Sequence, residues 1–195
     1  MINNPKCGAF YSDASIKAQS SAYILHTENH EQQQTLLNID SRLMYLQDAI
    51  FENLPYNEVQ PFTLQFWNAI RVGSDLTLIW PTFAIWLLKQ ASEHEQTVFN
   101  GLINLYERQI NHKLVETFEF MNAVTTLEQS TDSISVLTIQ AAVQIGYVNI
   151  NRSSAAAHSA ILISGRAALN DGAFWPAARD ELLGLLIAAP IAKAV

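Results

Sequence analysis

The segment spanning residues 30–52, HEQQQTLLNIDSRLMYLQDAIFE, carries the clearest periodic pattern in the chain. Its apolar residues recur at alternating intervals of three and four, and a second apolar ridge recurs at intervals of seven. The first ridge is Leu36, Ile39, Leu43, Leu46 and Ile50, and the second is Leu37, Met44 and Phe51. At about 100° per residue, the two ridges together cover roughly half of a helix circumference. A helix this apolar packs against two neighbours, which predicts a multi-helix domain.

A line of polar residues runs between these two ridges, at the centre of the apolar face: Asn29, Gln33, Asp40 and Gln47. A buried carboxylate is costly unless Arg, Lys or several N–H donors surround it. Asp40 therefore has two interpretations. It is either an acid lining an internal pocket, with a raised pKa, or one member of a wet polar seam between two neighbouring helices. The seam is the preferred interpretation.

Proline, glycine and capping residues divide most of the remaining chain into further helices. These are predicted from Ser12 or Asp13 to Leu25, from Pro61 to Gly73, from Ser74 or Asp75 through Gln90, from Ser92 to Leu127, from Ile134 to Val148, from Asn151 to Leu169, and from Pro176 to Pro190. Asn100–Gly101 is a possible break in the longest of them. The helix from Asn151 to Leu169 carries a ridge of small residues, Ala156, Ala160, Ser164 and Ala168, which predicts a close helix contact.

Seven or eight helices without a fixed repeat or a convincing strand predict an all-α bundle. We expect one compact domain over residues 1–195, with residues 1–12 and 190–195 allowed as extended tails. At 195 residues the chain needs no metal or disulfide for stability.

The most apolar passage is LTLIWPTFAIWLLKQ, Leu76–Gln90. It is shorter than the roughly 20 residues that a membrane span needs, so a buried helix is expected. Pro81 either kinks this helix or lies in its first turn. A kink would leave a cavity lined by Trp80 and Trp86, with Arg71 and Asp40 as polar contacts for a ligand. The other interpretation, that the aromatic residues fill the core, is preferred.

Arg166, Phe174, Trp175 and Arg179 form a second cluster near the C-terminus. Arginine with aromatic residues is typical of interface anchors, which makes these four the predicted interface residues. The apolar tail that follows, LLGLLIAAPIAKAV, is expected either to dock on its own chain or to meet a second subunit.

Charge and cysteine content limit the partners. The chain has 11 Lys and Arg against 18 Asp and Glu, a net charge of −7, and no basic run. This argues against binding to nucleic acid or to an anionic membrane surface. The single cysteine, Cys7, and an N-terminus without a secretory signal favour the cytoplasm.

Catalytic motifs of the common enzyme classes are absent from the sequence. Glu and His stand side by side at Glu93–Glu95 and at His30–Glu31, so they diverge by about 100° instead of converging as in di-iron bundles. His26 and His30 have a spacing that metals use, but the polar segment around them favours a solvated helix start. No catalytic residue is assigned, and no metal or cofactor is expected.

The leading hypothesis is a non-enzymatic helical interaction protein of the adaptor, inhibitor or immunity type. Its expected partner is another protein or a second copy, as in a homodimer. The first alternative is a bundle that holds a small apolar ligand near Pro81, in a cavity of about 300 Å³ or more. The second alternative is a carboxylate- or metal-dependent enzyme of an unfamiliar type.

Overall fold

The computed structural model describes residues 39–71, 73–90, 96–129, 135–151, 154–168 and 171–191. Regular structure in these ranges is entirely helical, apart from one isolated bridge between Ser74 and Ile191. The α-helices are α1 Ser41–Asn53, α2 Tyr56–Ala69, α3 Ile79–Lys89, α4 Asn100–Ile110, α5 Thr117–Gln129, α6 Val136–Ile150, α7 Ser154–Ala167 and α8 Asp171–Ala188. A short 3-10 helix, Thr97–Phe99, precedes α4. The all-α prediction is confirmed.

The chain divides into two compact units. The first unit comprises Met1–Leu76 and Trp175–Val195, and the second comprises Thr77–Phe174. Helices α1 and α2 pack together in the first unit, and α3 to α7 form the second. The single domain over residues 1–195 stays a prediction. Among the described helices, none combines the length and apolar character needed to cross a lipid bilayer.

Helix α1 begins later than the sequence pattern predicts. Ile39 and Asp40 are not helical, and the Asp40 side chain caps the helix by accepting the Arg42 N–H at 2.9 Å. Aspartate is a preferred N-cap residue because its carboxylate satisfies an N–H that has no partner within the helix. A continuous helix from His30 is therefore wrong, although the predicted end at Glu52 is one residue from the observed one. Residues 30–38 lie outside the described residues.

Two prolines lie deeper in their helices than predicted. Helix α2 begins at Tyr56 after Pro55, and α8 begins at Asp171, so Pro61 and Pro176 are each the sixth helical residue. Proline lacks an N–H and omits one intrahelical hydrogen bond. Near a helix start the loss of one hydrogen bond is tolerated, so both prolines can lie inside their helices. The predicted helix starts at Pro61 and Pro176 are wrong, because each helix begins five residues earlier. The predicted stop at Pro190 is confirmed, because α8 ends at Ala188.

Gly73 does not end α2, which stops at Ala69. Its φ of 79° lies in the left-handed region that glycine adopts easily. The turn is closed by the Ser74 N–H, which donates to the Arg71 carbonyl at 3.0 Å. Gly73 therefore allows a tight turn four residues after the helix.

The long helix predicted from Ser92 to Leu127 is interrupted, but not at Asn100–Gly101, where α4 begins. The interruption follows Asn111, where His112 has a φ of 54°. The His112 N–H donates to the Gln109 carbonyl at 3.0 Å, and the Lys113 N–H to the Arg108 carbonyl at 2.8 Å. This hydrogen-bond pair is a Schellman motif, which ends a helix in a left-handed residue. Histidine takes the place that glycine usually occupies.

Helix α6 is central to the second unit, where it packs against α5 and α7. Its buried residues cover more than half of the helix circumference, as expected for a helix with neighbours on two sides. A Cβ added at Gly146 would collide with the Val124 side chain of α5. The Tyr106 hydroxyl of α4 donates to the Ile145 carbonyl at 2.6 Å. Both contacts require α6 to lie close to the neighbouring helices α4 and α5.

The small-residue ridge predicted on α7 is buried only in part. Ala160 and Ser164 are buried as expected, whereas Ala156 and Ala168 are half-buried. Buried small residues also occur at Ala157, Gly165 and, on α6, Ala141 and Ala142.

Candidate functional site

Asp40, the first predicted ligand-site residue, is the half-buried N-cap of α1, and its ligand role stays a prediction. Its carboxylate accepts the Arg42 N–H and, at 3.0 Å from each oxygen, the Arg42 Nε–H. The Asp40 side chain is 24% exposed. Its placement on the buried helix face is wrong, because α1 begins only after it.

Gln47, by contrast, lies where the sequence places it, at the centre of the apolar face of α1. The residue is fully buried, and among the described residues neither its amide nitrogen nor its amide oxygen has a hydrogen-bond partner. The neighbours one turn away on the same helix are at most 1% exposed: Leu43, Met44, Ile50 and Phe51. The other members of the predicted polar line, Asn29 and Gln33, lie outside the described residues.

Arg71, the predicted contact for a ligand's acid group, caps the last helix of its own unit. Its guanidinium donates to the Ala189 carbonyl, just after α8 ends. A cation at a helix C-terminus stabilises the unpaired carbonyls there. The Asp75 N–H also donates to the Pro190 carbonyl at 2.8 Å. Residues 189–191 therefore dock on their own chain, which is one of the two arrangements predicted for the C-terminal segment.

Helix α3 begins at Ile79, so Pro81 lies in its first turn and the kinked helix is wrong. An N–H at this position would have no partner within the helix, which is why proline fits here. Leu78 is the N-cap residue, rather than the predicted Ser74 or Asp75, and it makes no side-chain cap hydrogen bond.

The two tryptophans of α3 point in different directions, about 120° apart at six residues' separation. Trp80 is 1% exposed, and its indole nitrogen has no hydrogen-bond partner within the described ranges. Trp86 stacks with Phe83 and Phe174 at ring-centroid distances of 5.2 and 5.7 Å. Trp80 is therefore a core residue, and Trp86 contacts two aromatic residues of the second unit. The ligand role of both tryptophans stays a prediction.

Of the four predicted interface residues, only Arg166 is exposed. Phe174 and Trp175 are 4% and 7% exposed. Arg179 forms ion pairs with Asp180, at 2.7 Å, and with Glu58 of α2. The hydrogen bond with Asp180 is the largest factor that raises the pKa of the Arg179 guanidinium. The assignment of these residues to an interface stays a prediction.

The sequence pattern misses a row of exposed apolar residues at the start of α5. Leu114, Phe118 and Met121 are 76%, 60% and 51% exposed. Phe118 and Met121 are three residues apart on α5, and Leu114 lies in the non-helical segment just before this helix. We call these three residues the α5 stripe. The helix break at His112 changes which side of the following segment faces the core, and Leu114 and Met121 are exposed.

The turn that carries Leu114 is fixed by a network around Arg108. Its guanidinium donates to both carboxylate oxygens of Glu119 and, at 2.8 Å, to the Leu114 carbonyl. Glu119 also accepts the Glu116 N–H at 2.9 Å, the arrangement of a capping box. The Arg108 hydrogen bond, followed by the one from Glu116, lowers the pKa of the Glu119 carboxyl. These contacts hold the first residue of the stripe against the helix that carries the other two.

Within the described residues, no group of three or more His, Cys, Asp or Glu side chains can hold a metal ion. His26, His30 and Cys7 lie outside those residues, as does the Glu93–Glu95 segment. His112 is exposed and isolated on its turn.

No protein-family model matches the chain, and no curated protein or solved structure shows significant similarity to it.

Proposed function

We propose that this chain is a non-enzymatic helical protein, of the adaptor, inhibitor or immunity type, that acts in the cytoplasm through protein–protein contacts. A second copy of the chain is its most direct partner. The observation that carries this proposal is the α5 stripe: three large apolar side chains, each more than half exposed. Phe118 and Met121 lie on α5, and Leu114 lies in the turn just before it. Contiguous exposed apolar patches are typical of protein interaction sites.

The charged residues around the described helices support this proposal. Four charged side chains bind neighbouring charged or backbone groups at helix ends or between helices: Asp40, Glu119, Arg71 and Arg179. Each therefore has a structural role, and none of these four belongs to a converging reactive group.

Sedimentation equilibrium over a range of about 10 μM to about 1 mM tests self-association, because weak complexes dissociate in that range. We expect the average mass to rise with concentration from 21.8 kDa toward twice that value. A mass that stays at that of one chain throughout would contradict the self-association part of the proposal.

A further inference from the structure

Residues 189–191, which follow α8, lie against the loop between α2 and α3, and we call them the C-terminal strap. Ser74 of the loop and Ile191 of the strap form an antiparallel bridge. The Asp75 N–H donates to the Pro190 carbonyl at 2.8 Å. Backbone pairing of this kind joins neighbouring strands in an antiparallel sheet. The strap is therefore attached to the loop by contacts between the two backbones.

Two side-chain contacts add to this backbone pairing. The Arg71 guanidinium donates to the Ala189 carbonyl at the end of α8. The Ile191 side chain lies beside Gly73, where its Cγ2 would be 3.7 Å from an added Cβ. Gly73 has a φ of 79°, and this left-handed turn brings the loop back toward the strap. The strap therefore depends on Arg71 and on the turn at Gly73.

The attachment of the strap is small in comparison with the packing of the helices. Ile191 is 51% exposed, and Pro190 is also exposed and has no N–H to donate to the loop. Chain ends with few buried contacts and accessible hydrogen bonds open at a much lower free energy than buried helices. The strap can therefore detach while α1, α2 and α8 keep their structure.

The loop that the strap holds is the part of the chain that leads from the first unit to the second. Leu76 ends the first segment of the first unit, and Thr77 begins the second unit. Among its described residues, the loop contains turns and one bridge but no regular helix or strand. Its conformation therefore depends on the turn at Gly73 and on the strap.

We propose that the C-terminal strap is a conformational device that controls the segment connecting the two units. When the strap is closed, it fixes this segment in one conformation. When it opens, the segment is released while the helices of the first unit stay folded. Loss of the Arg71 contact shifts the strap toward its open state. This inference goes beyond the proposed self-association and does not depend on it.

Amide hydrogen exchange of the full chain, measured by NMR, tests the strap because two adjacent amides report different contacts. The Asp75 N–H donates to the strap, whereas the Ser74 N–H donates to the Arg71 carbonyl within the loop at 3.0 Å. In the wild type we expect the Asp75 amide to be protected from exchange. Its protection factor should be at least about tenfold below that of the Ile50 amide in the buried helix α1.

Arg71→Ala removes the side-chain contact to the strap. We expect it to lower the protection factor of the Asp75 amide at least about fivefold and to change that of Ile50 by less than about twofold. Arg166→Ala is the matched control, because Arg166 is an exposed arginine on α7 of the second unit. The control should leave the protection of both amides unchanged.

Ile191→Ala replaces Arg71→Ala if the latter unfolds, as judged by circular dichroism. It removes the apolar contact with Gly73 and should lower the protection of the Asp75 amide in the same way. Its matched control is Ile187→Ala, at an isoleucine of α8 that is 63% exposed. Protection of the Asp75 amide should not change in this control.

Three results would overturn the proposal. An unprotected Asp75 amide in the wild type would mean that the strap is not closed. Equal protection of the Asp75 and Ile50 amides would mean that the strap opens only when the whole unit unfolds. A strap variant that leaves the protection of Asp75 unchanged, or lowers it together with that of Ile50, would mean that these contacts do not hold the strap.

Discussion

The cores of the two units each bury a large polar side chain completely, yet the two side chains differ in their hydrogen bonding. Tyr106 in the second unit and Gln47 in the first are both 0% exposed. The Tyr106 hydroxyl donates to the Ile145 carbonyl at 2.6 Å, whereas the Gln47 amide has no hydrogen-bond partner in the part of the chain that the structure describes. A buried polar group contributes stability only when it is hydrogen-bonded, and an unpaired one costs about 1–3 kcal/mol. Burial alone therefore does not say whether such a residue stabilises its unit.

The largest effect is expected where the second unit is packed most closely. Gly146→Ala would push a methyl group into the Val124 side chain, whereas nothing lies within 4 Å of a Cβ at Gly184 of α8. Overpacking costs about 1–3 kcal/mol, and an unobstructed helical Gly→Ala gains about 0.5–1 kcal/mol. We expect the unfolding free energies of the two variants to differ by about 2–3 kcal/mol in urea denaturation. Equal stabilities would show that α5 and α6 can separate at little cost.

Gln47→Leu should give the next largest effect, with the opposite sign. Removing an unpaired amide from an apolar environment should raise the free energy of unfolding by about 1–3 kcal/mol. Gln65→Leu on the exposed side of α2 is the matched control and should change it by less than about 0.5 kcal/mol. Chemical denaturation measures both. A loss of stability in Gln47→Leu would mean that the amide has a partner, and the contrast with Tyr106 would fail.

Tyr106→Phe tests whether the buried hydrogen bond of the second unit contributes stability. The substitution removes a hydroxyl with little change in shape, and the lost hydrogen bond should lower the free energy of unfolding by about 1 kcal/mol. Tyr147→Phe is the control, because its hydroxyl lies 3.3 Å from Glu128 in an exposed position. Thermal or urea unfolding should rank Tyr106→Phe as the more destabilising. The reverse order would mean that the buried hydrogen bond adds nothing.

Glu181→Gln is expected to have the smallest effect on the free energy of unfolding, and this effect depends on pH. Burial on α8 raises the pKa of the Glu181 carboxyl, so the folded state binds its proton more tightly than the unfolded chain. Stability from this group is thus fully present below the unfolded pKa and is lost as pH rises through the folded pKa. We expect Glu181→Gln to be more stable than the wild type at neutral pH and equally stable in acid.

Urea denaturation at several pH values measures this difference, with Glu107→Gln on an exposed position as the control. A gain that does not change with pH would contradict the assignment to desolvation.

The fold class could be predicted from the sequence because it depends on apolar spacing alone. The spacing around Leu43, Leu46 and Ile50 predicts a buried helix face, and all three residues are fully buried. The same spacing placed Gln47 at the centre of that face. Helices α6 and α7 likewise lie within three residues of their predicted bounds.

The helix starts depend on local hydrogen bonds, which periodicity does not report. Asp40 prefers to cap α1, and Pro61 and Pro176 are tolerated inside their helices. The α5 stripe was missed for a related reason: the Schellman turn at His112 changes which side of the helix faces the core. Asn111–His112 is the available signal, since both residue types adopt left-handed conformations more often than most.

The most direct test of self-association measures the backbone amide chemical shifts of the wild-type chain by NMR during dilution from about 1 mM to about 10 μM. Pairing through the α5 stripe predicts that concentration-dependent shifts are concentrated in residues 114–125. Shifts that do not change with concentration, or that change at Val136 or Ile187 while residues 114–125 stay constant, would contradict it.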